Sequence, residues 1–237
     1  MLELIREGLT HELTYIFSVY GLSFIVMFYA LLRILKKSES KTYNDVFWML
    51  ACFALSKGLS VLVDAANLIV SDRVELYGIT LNNLSAMFAV ISNVFVLQFS
   101  IDLITCRIAN RNIYKVFPVI LFSSYIVLFM FGIIDDYDAN VTGRYGFGYN
   151  GGILASVALF SLYNSEKQNK SIGFLRGLQG LAIGFILYSI FDGVAEKPIM
   201  GVPIYLYRMV CAVLIATSSF YLKELFVVKK TSNVGYL

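Results

Sequence analysis

Four ionisable side chains in stretches otherwise fit only for hydrocarbon need placing: Lys57, Asp64, Asp192 and Arg208. A charge at membrane depth is expensive, so such residues mark a function or an architectural joint, with a partner to be found. Lysine, arginine and aspartate can pair with one another, hold an ionic ligand or couple two helices. They cannot by themselves form a nucleophile–base set. The chain has a single histidine, His11. It falls in the N-terminal tail, so two buried histidines cannot ligate a haem and a histidine-based zinc or copper site lacks its ligands. No Ser/His/Asp or Cys/His set can be assembled within the apolar runs. A retinal Schiff base needs a lysine near the middle of the last run; Arg208 stands there, and Lys197 and Lys223 fall at its ends. The expectation is therefore a protein without a catalytic residue, a metal or a cofactor.

These residues must be carried by membrane helices. Of the 237 residues, 58% are hydrophobic and 15% are charged, against roughly 25% charged in soluble domains; the mean hydropathy is +0.73. Seven apolar stretches approach the ~20 residues needed to cross a bilayer: 14–35, 45–70, 80–104, 115–134, 146–163, 174–193 and 201–222. The runs are continuous and long, unlike the alternating segments of a membrane barrel. Connectors are too short for a soluble domain. The fold expected is all-α, a polytopic membrane protein with seven transmembrane helices in one domain over 1–237. The tail before the first run, MLELIREGLTHE, is acidic and no small-residue cleavage site follows, so that run reads as a span and not as a signal peptide.

Basic residues set the orientation. Arg33, Lys36, Lys37 and Lys41 follow span 1, Arg107, Arg111 and Lys115 follow span 3, and Lys167, Lys170 and Arg176 follow span 5. Lys223, Lys229 and Lys230 lie after span 7. The other side has Arg6, Arg73, Arg144 and Lys197, beside the acids Asp135, Asp136 and Asp138. The N-terminus is expected outside and the C-terminus in the cytoplasm.

With that orientation, the helical rise gives each charge a depth. Asp64 falls ~9 Å and Arg208 ~10 Å below the outer ends of their spans, so an Asp64–Arg208 pair is expected. Lys57 lies ~10 Å deeper than Asp64 on nearly the same face. No acid shares its depth; Asn93, with Ser92 beside it, does. Its amide oxygen could accept from the ammonium, Lys57 could be neutral, or it could snorkel to backbone carbonyls. Asp192 is placed at the outer end of span 6.

Small residues let the helices approach: Gly180 and Gly184 in a GxxxG on span 6, and Gly151 with Ala155 on span 5. Packing within one bundle is the plainer reading, and a homo-oligomer stays open. Pro118 and Pro203 are expected in the first turns of spans 4 and 7. Trp48, Tyr77, Tyr145 and Tyr149 sit near span ends, as an aromatic belt requires. Cys52, Cys106 and Cys211 read as small apolar packing residues and imply no disulfide framework.

Three stretches, FWMLACFALSKGLSVLVD (47–64), RYGFGYNGGILA (144–155) and GVPIYLYRMVCAVLIA (201–216), together resemble a bacterial family of seven-helix membrane input domains that stand N-terminal to histidine kinases and diguanylate cyclases. The resemblance implies roles for Gly58, Asp64, Arg144, Tyr145, Gly151, Gly201, Pro203 and Arg208. The sequence departs from the family pattern at Val61, where the family often has an acid, at Tyr149-Asn150, which replaces a proline, and at Lys57, where a histidine is frequent. No kinase or cyclase stands after KKTSNVGYL in this sequence, so the expectation is that the output domain was lost or is a separate polypeptide.

The function this implies is a non-enzymatic sensor or signal relay of the bacterial cytoplasmic (inner) membrane. It would pass a stimulus from the outer helix ends, near Asp64, Asp192, Arg208 and the 135–151 loop, to a kinase, cyclase or other membrane subunit. Its partners would be the lipid bilayer and that protein; nothing points to nucleic acid. Two other readings stand beside it: a structural subunit of a larger membrane complex, and a small-solute or ion transporter, against which the lack of an inverted repeat counts.

Overall fold

The computed structural model describes residues 2–36, 41–70, 75–76, 79–106, 112–131, 143–168, 170–194, 198–199 and 201–225. Among the described residues, seven α-helices follow the apolar runs: α1 (Leu2–Leu35), α2 (Lys41–Val70), α3 (Leu81–Thr105), α4 (Asn112–Met130), α5 (Asn150–Glu166), α6 (Ile172–Tyr188) and α7 (Ile204–Ser219). The only pairing of strands among the described residues is a short antiparallel one, Glu75–Leu76 on Ile79–Thr80, in the turn between α2 and α3. Among the described residues, five of the expected spans are long and apolar enough to cross a membrane: His11–Leu35, Tyr43–Val70, Leu81–Thr105, Ile172–Gly193 and Ile204–Lys223. The apolar part of α4 is the shorter Pro118–Val127, and α5 has 17 residues. Lys37, Arg73, Tyr77, Arg107, Arg111, Asp135, Asp136, Asp138, Lys197, Lys229 and Lys230, with the side chains of Arg6, Lys41 and Lys115, lie outside the described residues.

Two helices do not end as α-helix. The segment expected as a loop before α5 is a π-helical turn, Gly143–Tyr149, that runs straight into it. A second π-helical turn, Ser189–Val194, prolongs α6, and a 3₁₀ turn, Phe220–Leu225, prolongs α7. Because α4 begins at Asn112, Pro118 lies inside the helix and not in its first turn, so one main-chain bond is missing there. Pro203 caps α7, one residue past Val202, which bridges Ile199 across a turn whose Gly201 has φ 77°, a conformation that favours glycine.

The packing is a closed ring of six helices. Each of α1, α2, α3, α5, α6 and α7 packs against the next, and α7 returns to α1; α4 lies outside, leaning on α3. The ring closes tightly where α1 crosses α2. A Cβ added to Gly58 would lie 2.7 Å from Ile25 Cδ1 and 3.1 Å from the Gly21 carbonyl oxygen, and one on Gly21 would meet Gly58 in the same way. Gly151 plays this part between α5 and α3, where its Cβ would stand 3.0 Å from the Leu97 nitrogen. Gly180 and Gly184 face Ser218 and Ile215 of α7, so the GxxxG serves packing inside the chain. Within the ring, Phe24, Phe53, Phe185 and Tyr188 meet mostly edge to face, with centroids 5.4–6.3 Å apart, a favourable arrangement of ring quadrupoles.

The crossing predicts a contrast between two glycines. Gly58→Leu is expected to lower the unfolding free energy in bicelles by roughly 1–3 kcal/mol through overpacking. Gly146→Ala, with nothing within 4 Å of the added carbon, is expected to leave it unchanged. Equal effects would contradict the crossing.

Candidate functional site

Asp192 is the centre of the buried polar residues, although at the sequence level it reads as a mere helix-end charge. It sits in the π-helical turn after α6 and is 6% exposed. Lys57, also 6% exposed, donates from Nζ to Asp192 Oδ2 at 3.0 Å. Arg208 on α7 brings its Nε to 3.6 Å from Asp192 Oδ1 and donates its hydrogen bond to the Phe191 carbonyl at 2.8 Å. The Tyr20 hydroxyl on α1 reaches Asp192 Oδ1 at 3.4 Å and the Tyr188 hydroxyl at 3.3 Å. Arg144, from the other π-helical turn, donates Nε and Nη2 to the Asp192 carbonyl at 3.0 and 2.7 Å. One residue thus receives contacts from α1, α2, α7 and the turn before α5.

Local sequence explains the convergence. Tyr188 precedes Asp192 by one helical turn and shares its face. Gly58, next to Lys57, lets α1 come close enough to bring Tyr20 over the pair. Gly193, next to Asp192, lets the two π-helical turns abut, since a Cβ there would lie 2.9 Å from Tyr149 Cβ. The Lys57 ammonium lies 5.7 Å from the Tyr188 ring centroid and the Arg208 guanidinium 5.3 Å from that of Tyr205, so each cation also has an aromatic face. On one side of this layer, towards Leu35, the rings of Phe24, Phe53 and Phe185 fill the interior.

Two expected pairings are corrected. Asp64 does not pair with Arg208: it lies opposite Ser85, half-buried, and among the described residues it forms no ion pair. Lys57 is not without an acid, and its partner is Asp192, not Asn93. Asn93 is buried on α3 against Gly148 of the outer turn, whose added Cβ would stand 3.0 Å from the amide. Both errors have one cause. Depth measured from each span's end assumes that the ends lie in one plane, yet α2 continues from Lys57 to Val70 while the helix bearing Asp192 stops at Val194.

Among the residues singled out by resemblance, Arg144 and Arg208 join the site, Gly58 and Gly151 make close helix approaches, and Gly201 and Pro203 shape the start of α7. Tyr145 lies on the surface, 37% exposed, and its carbonyl accepts from Asn150 Nδ2 at 3.0 Å. Charge reading alone passes over Tyr20 and Tyr188, because tyrosine is unremarkable in a membrane helix. It also passes over Asp102, a buried acid of α3 remote in sequence from the others; its place inside span 3 was the available signal. Among the described residues no three His, Cys, Asp or Glu side chains gather to hold a metal.

No protein-family model, curated protein or solved structure matches this chain.

What this arrangement can do is electrostatic and mechanical: one carboxylate holds several elements at fixed spacing by charge-assisted bonds in a medium of low dielectric. Removing one member of a buried pair strands the other. Asp192→Asn is therefore expected to destabilise the fold by about 3–5 kcal/mol, whereas Asp64→Asn, outside the ion pair, should cost under about 1 kcal/mol. Reversible unfolding of the two variants in bicelles measures the difference; a larger cost for Asp64→Asn would refute the hub.

Proposed function

We propose that the chain is a non-enzymatic relay of the bacterial cytoplasmic membrane. It crosses the bilayer seven times, with the Val70 end of the bundle outside and the tail after α7 in the cytoplasm. The loop lysines and arginines support the orientation, and the length and apolarity of five helices support the membrane setting. The observation that carries the relay reading is the convergence of α1, α2, α7 and the turn before α5 on Asp192. A displacement of the outer turn through Arg144 acts on Asp192 directly. Arg208 passes it to α7, and α7 leads through the Phe220–Leu225 turn to the cytoplasmic tail. The resemblance to input domains of kinases and cyclases supports an enzyme of that kind as the receiver.

A second reading, a structural subunit of a larger membrane complex, is favoured by α4. It stands outside the ring and turns Val116, Val119, Ile120, Ile126 and Val127 outward. Copurification in mild detergent separates the two: stoichiometric membrane subunits support the complex, and a kinase or cyclase alone supports the relay.

Two outcomes follow. With Cys52, Cys106 and Cys211 replaced by serine, a cysteine at Thr142 should react with a membrane-impermeant maleimide in intact cells and one at Ser232 only in inside-out vesicles. The reverse pattern would overturn the orientation. Arg144→Gln, at unchanged membrane levels, should abolish the stimulus-dependent output of the receiving enzyme, and retention of full output would overturn the relay.

A further inference from the structure

Helix α4 carries a surface that neither the ring nor the Asp192 site uses. It lies outside the ring and exposes Val119, Ile120, Ser123, Ser124 and Val127. These five line a shallow groove of about 440 Å³. Their spacing is that of two neighbouring rows along the helix: Val119, Ser123 and Val127 in one, Ile120 and Ser124 in the other. Such i, i+4 rows form ridges, and the groove between two of them receives the matching ridge of another helix. The two smallest side chains stand at its centre, where they let a second backbone come close.

The hydroxyls point to what fills the groove. Ser123 and Ser124 fall inside the apolar stretch Pro118–Val127. Both are exposed, and neither has a hydrogen-bond partner among the described residues. Ser18, Ser23, Ser100 and Ser189 instead return their hydroxyls to the carbonyl four residues back, at 2.6–2.8 Å. Lipid tails offer a hydroxyl nothing to bond, so such a group gains by meeting another helix. Serine is donor and acceptor at once. A second copy in the same orientation places the same two hydroxyls at the same depth, and a two-fold axis along the membrane normal pairs them without help from any other residue type. From Val116 to Met130 the sequence has no charged residue, so no like charges oppose the contact.

We propose that the chain associates with a second copy of itself through α4, with Ser123 and Ser124 at the centre of a close parallel helix crossing. The next residue, Tyr125, meets the outer turn: its ring lies edge to face with that of Phe147, centroids 5.7 Å apart. Phe147 shares its π-helical turn with Arg144, which holds the Asp192 carbonyl. A contact between copies therefore has a path of two rings to the site. The association itself requires only the membrane setting; its effect on signalling rests on the relay reading.

With Cys52, Cys106 and Cys211 replaced by serine, Ser123→Cys should form a disulfide-linked dimer in native membranes under mild oxidation. Val157→Cys, also exposed but on α5, should not. Energy transfer between chains labelled on the C-terminal tail and diluted in liposomes gives the dissociation constant. Ser123→Ala with Ser124→Ala, exposed changes that leave the ring untouched, should raise that constant about threefold to tenfold by removing the hydroxyls. Wild-type chains that stay monomeric at every protein-to-lipid ratio would leave this face to lipid or to a different protein, and overturn the proposal. So would a constant that the alanine pair does not change. The measurement reads association and not output, so its failure and a failure of the relay are told apart.

Discussion

A carboxylate taken out of water must be compensated where it stands, and the bundle is arranged around that requirement at Asp192. Lys57 supplies the close cation, Arg208 a second one, and the Tyr20 hydroxyl a neutral donor. The compensation is distributed among helices far apart in sequence, so satisfying one charge fixes the relative heights of α1, α2, α6 and α7. The cost of leaving any of these groups alone in a low-dielectric interior is what makes the arrangement specific. Hydrophobic packing could not do this, since lipid tails are as apolar as leucine and give helices no preference for one register.

The main chain shares in the compensation. The carbonyls in a helix's last turn have no partner within the helix, and Phe191 and Asp192 stand in that position before Val194. The π-helical turn offers the Phe191 and Asp192 carbonyls to guanidinium groups from another turn and another helix. Close glycine contacts make this affordable in space: Gly193 lets the two turns abut, and Gly21 with Gly58 brings α1 onto α2. The aromatic layer of Phe24, Phe53 and Phe185 then closes the interior on the Leu35 side, so the charged layer faces only one end of the bundle.

Hydropathy and length made the helices legible in the sequence, because each run is continuous and near the thickness of a bilayer. The arrangement of those helices was less so. Nothing in the composition of α4 sets it apart, yet it lies outside a ring of six; ring membership depends on which faces interlock, and the small residues at Gly58 and Gly151 show that only once their neighbours are known. The ionisable residues of the site were legible as a group but their pairing was not. Helices of unequal overhang defeat a ruler laid from span ends, and a π-helical turn alters where its side chains point. On that ruler Asp64 and Arg208 match and Lys57 is stranded, for this reason alone.

The central claim is that Lys57 and Asp192 are energetically coupled inside the membrane. A double-mutant cycle of Lys57→Met, Asp192→Leu and the pair, followed by reversible unfolding in bicelles, measures it most directly. The account predicts a coupling of about 1.5–3 kcal/mol, with the double variant more stable than the sum of the single losses allows. Losses that add to within about 0.5 kcal/mol would mean that the two charges are neighbours without being partners, and would contradict it.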